Sequence, residues 1–300
     1  MKTTRSLLVT MAVALSVSAC GGGGGSGAST PAADTGGTGA TTPPASTTSA
    51  TGVWSGKVTS TSTGQSYSMV GLTGASGQSV WMTMDGRVWH GQMPMDSTQF
   101  STTMAGYMYP GSHFPDGSTH GPSTMMFGNA NGTWSGQYSG TGDAGTFTVG
   151  MSPMWNRPAS PSILAGVYTR TTSIGYTMTM SITQDGQLTA NDTRGCVING
   201  TVTVPDPSHN LYQLNANVTS CGVLNGTYQG MGTLVDANAM REWMSNMGCF
   251  QYGQNGMMGG GMMGGWWPNT GTNTVPSGTQ NLLMFSMVNG HYAMMDALAR

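Results

Sequence analysis

The side chains best suited to chemistry in this 300-residue sequence are sulfur ligands concentrated between residues 236 and 280. Thioether and thiolate sulfurs are soft ligands, which favour Cu(I). Residues 237–247 can form a short helix with three methionines on one face. The remaining methionines of the segment follow no period that would place them in a core. The candidate ligands are Met240, Met244, Met247, Cys249, Met257, Met258, Met262 and Met263. The sequence indicates three alternatives for this segment: a Cu(I) site, a sink for oxidants, and flexible low-complexity filler.

A second segment offers imidazole nitrogens with methionines close by. His113 and His120 flank Asp116 in this segment. Its nearby methionines are Met104, Met108, Met125 and Met126. Imidazole and thioether ligands both suit copper. We therefore predict His113 and His120 as a second candidate metal site, with a loop that binds no metal as the alternative.

Three of the four cysteines lie in the second half of the chain and bear on its disulfide pattern. Cys196 opens one predicted strand and Cys221 ends another, with one long hairpin between them. An oxidising compartment permits a disulfide. We predict the pair Cys196–Cys221, which leaves Cys249 in the methionine-rich segment. Pairs that include Cys249 are the alternatives.

Residues 1–19 are predicted to be an export signal. Lys2 and Arg5 give a positive start, and the apolar stretch 7–17 is too short to span a membrane as a mature helix. The following residues 17–20, Val-Ser-Ala-Cys, resemble the lipobox of bacterial lipoprotein signal peptides. The resemblance implies cleavage before Cys20, acyl chains on its thiol and amine, and delivery to the outer membrane. An ordinary secretory signal is the alternative.

Residues 20–51 are predicted to be the lipidated cysteine and a disordered tether. Beyond Cys20 the segment contains only Gly, Ala, Ser, Thr, Pro and one Asp, so it has nothing to bury. Removal of residues 1–19 leaves seven basic residues against 11 acidic ones, a net charge of −4. That balance is not the basic footprint of a nucleic-acid-binding protein.

The remaining sequence lacks the residue types and spacings of familiar catalytic sites. Glu242 is the only Glu, and Asp85, Asp116 and Asp185 each precede a Gly, as turn residues do. The sequence contains no Gly-x-Ser-x-Gly motif and no phosphate-binding Gly-rich loop before a helix. We predict that the protein is not an enzyme, although a triad of residues far apart in sequence stays open.

The elements that must position these residues are short strands, predicted throughout residues 52–157 and 162–300. A period of two predicts which side chains point into the core: Val80, Met82 and Met84 in the first range, and Met178, Met180 and Ile182 in the second. Many short strands at close spacing favour an antiparallel barrel or sandwich. We therefore predict an all-β protein with two tandem antiparallel β-barrel or sandwich-like modules.

Three short phrases recur in the same order in both modules, which indicates an internal duplication. One phrase, Asn-Gly-Thr-aromatic-x-Gly, is expected to start the same strand in each copy, because Asn-Gly favours a hairpin turn. Chance matching of Gly-rich strands is the alternative. The pairs are 52–54 with 166–168, 86–91 with 195–200, and 131–136 with 225–230.

The second module carries an insertion at residues 236–280. Only 11 positions lead from Trp134 to Gly145 near the predicted closing strand of the first module, whereas 54 lead from Tyr228 to Leu282 in the second. Loops of this length inside a compact domain are usually functional or disordered.

Two β modules behind a lipid anchor and a Gly-rich tether resemble the surface lipoproteins typified by the neisserial factor H-binding and transferrin-receptor families. Residues 136–140 and 145–147 are similar to the barrel signature of that group. The resemblance implies a non-enzymatic outer-membrane lipoprotein with a binding or structural role at the cell envelope, facing either the periplasm or the surface. Its partner would be another protein. The alternative is a periplasmic lipoprotein that binds copper or scavenges oxidants.

Overall fold

A computed structural model describes residues 49–83, 85–171, 175–236 and 281–300. It confirms the predicted all-β fold, because the chain forms two closed antiparallel barrels of eight strands each. Both barrels belong to one compact unit, Ser46–Arg300. Within the described residues, no helix is long and apolar enough to cross a membrane.

Strands that follow one another in the chain lie side by side around each barrel. The first barrel comprises β1 (Gly52–Ser60), β2 (Ser66–Thr73), β3 (Gln78–Thr83), β4 (Arg87–Gln92), β5 (Gln99–Met108), β6 (His120–Ala130), β7 (Thr133–Gly140) and β8 (Asp143–Met151). The second comprises β9 (Gly166–Thr171), β10 (Thr177–Ile182), β11 (Gln187–Asp192), β12 (Val197–Thr203), β13 (Tyr212–Thr219), β14 (Gly226–Asp236), β15 (Asn281–Val288) and β16 (Ala293–Ala299). Short helices lie at Pro153–Asn156, Pro161–Leu164 (α1) and Gly222–Leu224.

Each barrel closes because its first strand pairs on both sides. Trp54 of β1 lies opposite Gly71 of β2 and opposite Met151 of β8. In the second barrel, β9 pairs with β10 along its length and with β16 through Thr169 and Ala299. Closure satisfies the backbone groups that an open sheet would leave at its edges.

Four tryptophans fill the interior of the first barrel: Trp54, Trp81, Trp89 and Trp134, each at most 1% exposed. Trp81 fits because its partner on β2 is Gly71, where a Cβ would stand 2.3 Å from the indole ring. An eight-stranded barrel is only just wide enough for its own side chains. The interior is therefore a packed core.

The interior of the second barrel is filled in the same way. Met178, Met180 and Ile182 of β10 are at most 3% exposed, which confirms their predicted inward face. They pack against a set of aromatic rings, which are Tyr168, Tyr212, Tyr228 and Phe285. Both barrels thus bury their large side chains at their own centres.

Two of the three repeated phrases fall on equivalent strands. Trp54 is the third residue of β1 and Tyr168 is the third residue of β9. The Trp54 Nε1 and the Tyr168 hydroxyl each donate a hydrogen bond to the carbonyl four residues earlier, at 3.0 and 2.6 Å. Gly86 before β4 and Gly195 before β12 adopt φ values of +94° and +92°, which L side chains rarely adopt. First and fourth strands of the two barrels therefore correspond.

The third phrase does not start the same strand in both barrels, so that prediction is wrong. Residues 131–136 lead into β7, the seventh strand, whereas residues 225–230 open β14, the sixth. Asn131 and Gly132 form a tight turn with φ of +54° and +80°. Asn225 instead follows a 3₁₀ helix with φ of −60°. The insertion consequently lies between the sixth and seventh strands, where the first barrel has only its Asn-Gly turn.

The predicted inward face of β3 is also wrong. Trp81 points into the first barrel, while Val80 and Met82 point outward. Both faces are buried because the outer wall of β3 packs against the second barrel. A period of two cannot distinguish inside from outside when both faces are covered. Met84 lies outside the described residues.

The two barrels share one continuous apolar cluster between their outer walls, called here the interface cluster. Its aliphatic and methionine side chains come from β1–β4 of the first barrel and from β14–β16 of the second. The main contributors are Val53, Val70, Leu72, Val80, Met82, Val88, Met231, Val235, Leu282, Met284 and Met295, with Trp155 from the connecting segment. Burial of this cluster holds the barrels together as one body.

The insertion joins the second barrel at two adjacent points. Asp236 at the end of β14 lies opposite Asn281 at the start of β15. Arg157 of the connecting segment forms a 2.5 Å ion pair with Asp236 at this base. The barrel wall is therefore complete up to the last residue on either side of the insertion, and residues 237–280 lie outside the described residues.

Candidate functional site

One end of the second barrel is braced by a disulfide and is called here the disulfide mouth. Cys196 precedes β12 and Cys221 follows β13, and the two are joined with a Cα–Cα distance of 4.5 Å. The predicted pairing is confirmed. The bond ties together two turns that would otherwise move independently at the rim.

A loop of the first barrel reaches the disulfide mouth. Tyr109 and Pro110, which follow β5, line a cavity of about 60 Å³ together with Tyr176 and Arg194 of the second barrel. The deeper wall is apolar and includes Phe285. A cavity of this size holds a few water molecules. Residues from both barrels thus line one small cavity, which has polar side chains at its rim.

The rim of this cavity is rich in hydrogen-bond donors. The Arg194 guanidinium lies 4.4 Å from the centre of the Tyr176 ring. Burial raises the pKa of Tyr176, and the hydrogen-bonded carboxylate of Asp192 raises it further. Burial also raises the pKa of Tyr109, although Arg194, which donates to its oxygen, opposes the shift. Both phenols are protonated at neutral pH and act as donors, not as bases.

A buried ion pair lies below the rim. Arg170 of β9 donates from Nη1 to the Asp296 carboxylate of β16 at 2.5 Å, with side chains 1% and 8% exposed. Burial raises the pKa of Asp296, while Arg170 lowers it. The Arg170 Nε finds no hydrogen-bond partner among the described residues. Asp296 lines the cavity, so the floor of the disulfide mouth carries charge.

The first barrel has a charged cluster of its own, which is structural. Arg87 is 2.9 Å from Asp85, pairs with Asp143, and donates to the Tyr138 hydroxyl at 2.8 Å. Burial alone would raise the pKa of Asp143, but hydrogen bonds from Ser62 and Tyr138, with other donors, hold it well below its usual range. This network closes one end of the first barrel with paired charges.

A wider cleft lies at the opposite end, where the connecting segment meets the second barrel. The His209 ring stacks on Trp155 with centroids 3.9 Å apart, and its Nδ1 is 2.8 Å from Asp206. Hydrogen bonds from Ser208 and then His209 lower the pKa of Asp206 to about 2. These residues line a cleft of about 680 Å³ that also includes Met151.

The structure places the residues of the second candidate metal site in different surroundings. His113 and His120 are exposed, whereas Met104 and Met125 are fully buried in the core of the first barrel. Met126 of the same strand is 50% exposed. Within the described residues, no group of three or more His, Cys, Asp or Glu side chains is placed to hold a metal.

The other predicted ligands lie outside the described residues, as does the lipidation residue. They are Cys20, Met240, Met244, Met247, Cys249, Met257, Met258, Met262 and Met263. The disulfide mouth was not predicted beyond its two cysteines. Arg170 and Asp296 lie 126 positions apart in sequence, and no local pattern marks either of them.

The geometry defines two solid barrels with polar sites on their exterior. Comparisons of the chain with protein-family models, with curated proteins and with solved structures find no match.

Proposed function

We propose that the protein is a non-enzymatic lipoprotein of the outer membrane that binds a partner through the exterior of its two barrels. The observation that carries the proposal is the packing of the barrels. Their centres are filled by residues such as Trp81 and Phe285, each at most 1% exposed. A carrier of an internal ligand needs an open barrel. The exterior sites, above all the disulfide mouth, therefore offer the binding surface.

The anchor follows from the order of the segments. Cys20 ends a lipobox-like motif, a Gly-rich polar stretch follows it in the sequence, and Ala50, just before β1 at Gly52, is already buried in the core of the first barrel. A tether of this composition holds a folded body away from the bilayer without fixing its orientation. The rigid pair of barrels would thus be presented to partners at the cell envelope.

The absence of catalysis is supported by the chemistry of the disulfide mouth. Tyr109 and Tyr176 have raised pKa values and stay protonated at neutral pH. The buried carboxylate of Asp296 is already paired with Arg170. These groups can donate and accept hydrogen bonds to a bound partner, but they do not form an activated nucleophile with its base.

Metabolic labelling with a palmitate analogue tests the anchor. We expect label on the wild type, none on Cys20→Ser, and unchanged label on Cys249→Ser as the matched control, because only a thiol at the lipobox accepts an acyl chain. The labelled protein should sediment with the outer membrane. Equal labelling of the wild type and Cys20→Ser would refute the proposal.

A second candidate function is Cu(I) binding by the methionine-rich insertion. The pairing of Asp236 with Asn281 favours it, because the barrel closes without the insertion and does not need its sulfur side chains as core. Soft sulfur ligands would then be free for a metal. Cu(I) titration of the wild type and of a variant lacking residues 250–275, in competition with a Cu(I) chelator, decides between this function and a low-complexity segment that binds no metal.

A further inference from the structure

Two histidines from different barrels meet at the junction near the disulfide mouth. His120 opens β6 of the first barrel, and His291 lies in the turn between β15 and β16 of the second. Their ring centroids are 6.0 Å apart with an interplanar angle of 88°. Both side chains are exposed. They lie 171 positions apart in sequence, so only the packing of the barrels brings them together.

Each histidine is held on an ordered element. His120 pairs across the sheet with Tyr107, whose ring lies nearly parallel to the imidazole at 18° and 6.5 Å. The backbone N–H of His291 donates to the Asn289 side chain at 3.0 Å, which fixes the turn. A site built on such elements is better positioned than one on a long loop.

We propose that His120 and His291 together bind one divalent ion that prefers imidazole ligands, such as Zn²⁺ or Cu²⁺. Two imidazoles that share Zn²⁺ at about 2.0–2.1 Å per Zn–N bond place their ring centres roughly 5–6 Å apart. The observed separation of 6.0 Å between the ring centres lies at the upper end of this range. Imidazole nitrogens suit zinc, copper and nickel.

The pair is a partial site, which water completes. Among the described residues, no third His, Cys, Asp or Glu joins the two histidines. A two-protein-ligand site leaves open positions for water or for a ligand supplied by a partner. Because the two ligands belong to different barrels, the ion would cross-link the junction beside the disulfide mouth.

This site differs from the pair predicted from the sequence, His113 with His120, and from the sulfur ligands of the insertion. Zn²⁺ separates the possibilities, because thioethers select Cu(I) instead. The background variant Cys249→Ser removes the one thiolate of the insertion that would bind Zn²⁺. His113→Ala is the matched control, since His113 is an exposed histidine of the β5–β6 connection.

Calorimetric titration with Zn²⁺ tests the proposal on the chain from residue 20, carrying Cys20→Ser and Cys249→Ser. We expect one Zn²⁺ per chain, at least tenfold weaker binding in His120→Ala and in His291→Ala, and unchanged binding in His113→Ala. In the same Cys20→Ser, Cys249→Ser chain with all histidines present, the imidazole NMR signals of His120 and His291 should shift together on addition of Zn²⁺. Absence of binding, unchanged binding in His291→Ala, or loss of binding in His113→Ala would each overturn the proposal.

Discussion

His90 makes the stability of the first barrel depend on pH. It lies on β4, pointing out of the barrel, and is 9% exposed. Its Nε2 has no hydrogen-bond partner among the described residues. Burial lowers the pKa of His90 from 6.5 to about 3. The folded protein therefore keeps His90 neutral at pH values where the unfolded chain takes up a proton.

The sign and size of the effect follow from this difference. The folded pKa is lower than the unfolded one, so stability is full above pH 6.5 and is lost as the pH falls from about 6.5 toward 3. A pH of 5 lies about 1.5 units below the unfolded pKa of His90. Protonation therefore stabilises the unfolded chain by roughly 2 kcal/mol at this pH. The wild type should therefore be about 2 kcal/mol less stable at pH 5 than at pH 8 because of this one residue.

Urea denaturation at pH 8 and pH 5 measures the effect. In His90→Leu, which cannot take up a proton, the loss of unfolding free energy between the two pH values should be smaller than in the wild type by about 2 kcal/mol. Carboxylates titrate alike in both proteins and cancel from the comparison. His113→Leu, at an exposed histidine, should behave as the wild type. Identical losses in the wild type and in His90→Leu would refute the reasoning.

Three further perturbations have defined outcomes. Replacing Cys196 and Cys221 by Ala removes a disulfide whose loop contains 24 intervening residues. The loss should lower the unfolding free energy by about 3 kcal/mol in urea titrations. An unchanged denaturation midpoint would contradict this expectation. Arg170→Met leaves Asp296 buried without its partner and should lower the unfolding free energy by about 3–5 kcal/mol. Adding Asp296→Leu should restore most of this loss. A double variant as unstable as the single one would show that the broken ion pair is not the cause. Deleting residues 250–275 should leave the thermal transition nearly unchanged, because β14 and β15 pair up to the base of the insertion, and a drop of several degrees would show that the insertion stabilises the barrel.

The inward face of a strand could be predicted from the sequence where one face is buried in the barrel and the other is closer to solvent. β10 is such a strand, and its alternation of Met178, Met180 and Ile182 predicted the inward face. β3 is buried on both faces, so the same rule placed Val80 and Met82 inside the barrel instead of between barrels. The sequence contains no signal for contact between the outer walls of two barrels.

The repeated phrases show a similar limit. The pairs that contain Gly86 and Gly195 correspond because a positive φ is needed before the same strand in each barrel. Asn-Gly, in contrast, suits several turns, and it leads into the seventh strand in one barrel and the sixth in the other. A turn phrase predicts a strand start, but not which strand begins there.

Of the candidate sites, only the disulfide at the ends of two neighbouring strands could be predicted from the sequence. Cys196 and Cys221 flank one hairpin, so their pairing followed from the strand pattern. The contact of His120 with His291 and the pairing of Arg170 with Asp296 depend on how the barrels close and pack. These long-range contacts leave no local periodicity in the sequence.

Mass spectrometry of the N-terminal tryptic peptide tests the proposed outer-membrane anchor most directly. The first Lys or Arg after Cys20 is Lys57, so trypsin should release residues 20–57 as one peptide. From purified outer membranes, we expect this peptide to begin at Cys20 and to carry the mass of acyl chains on both its thiol and its amine. A peptide that begins elsewhere, or that carries an unmodified Cys20, would contradict the proposed anchor.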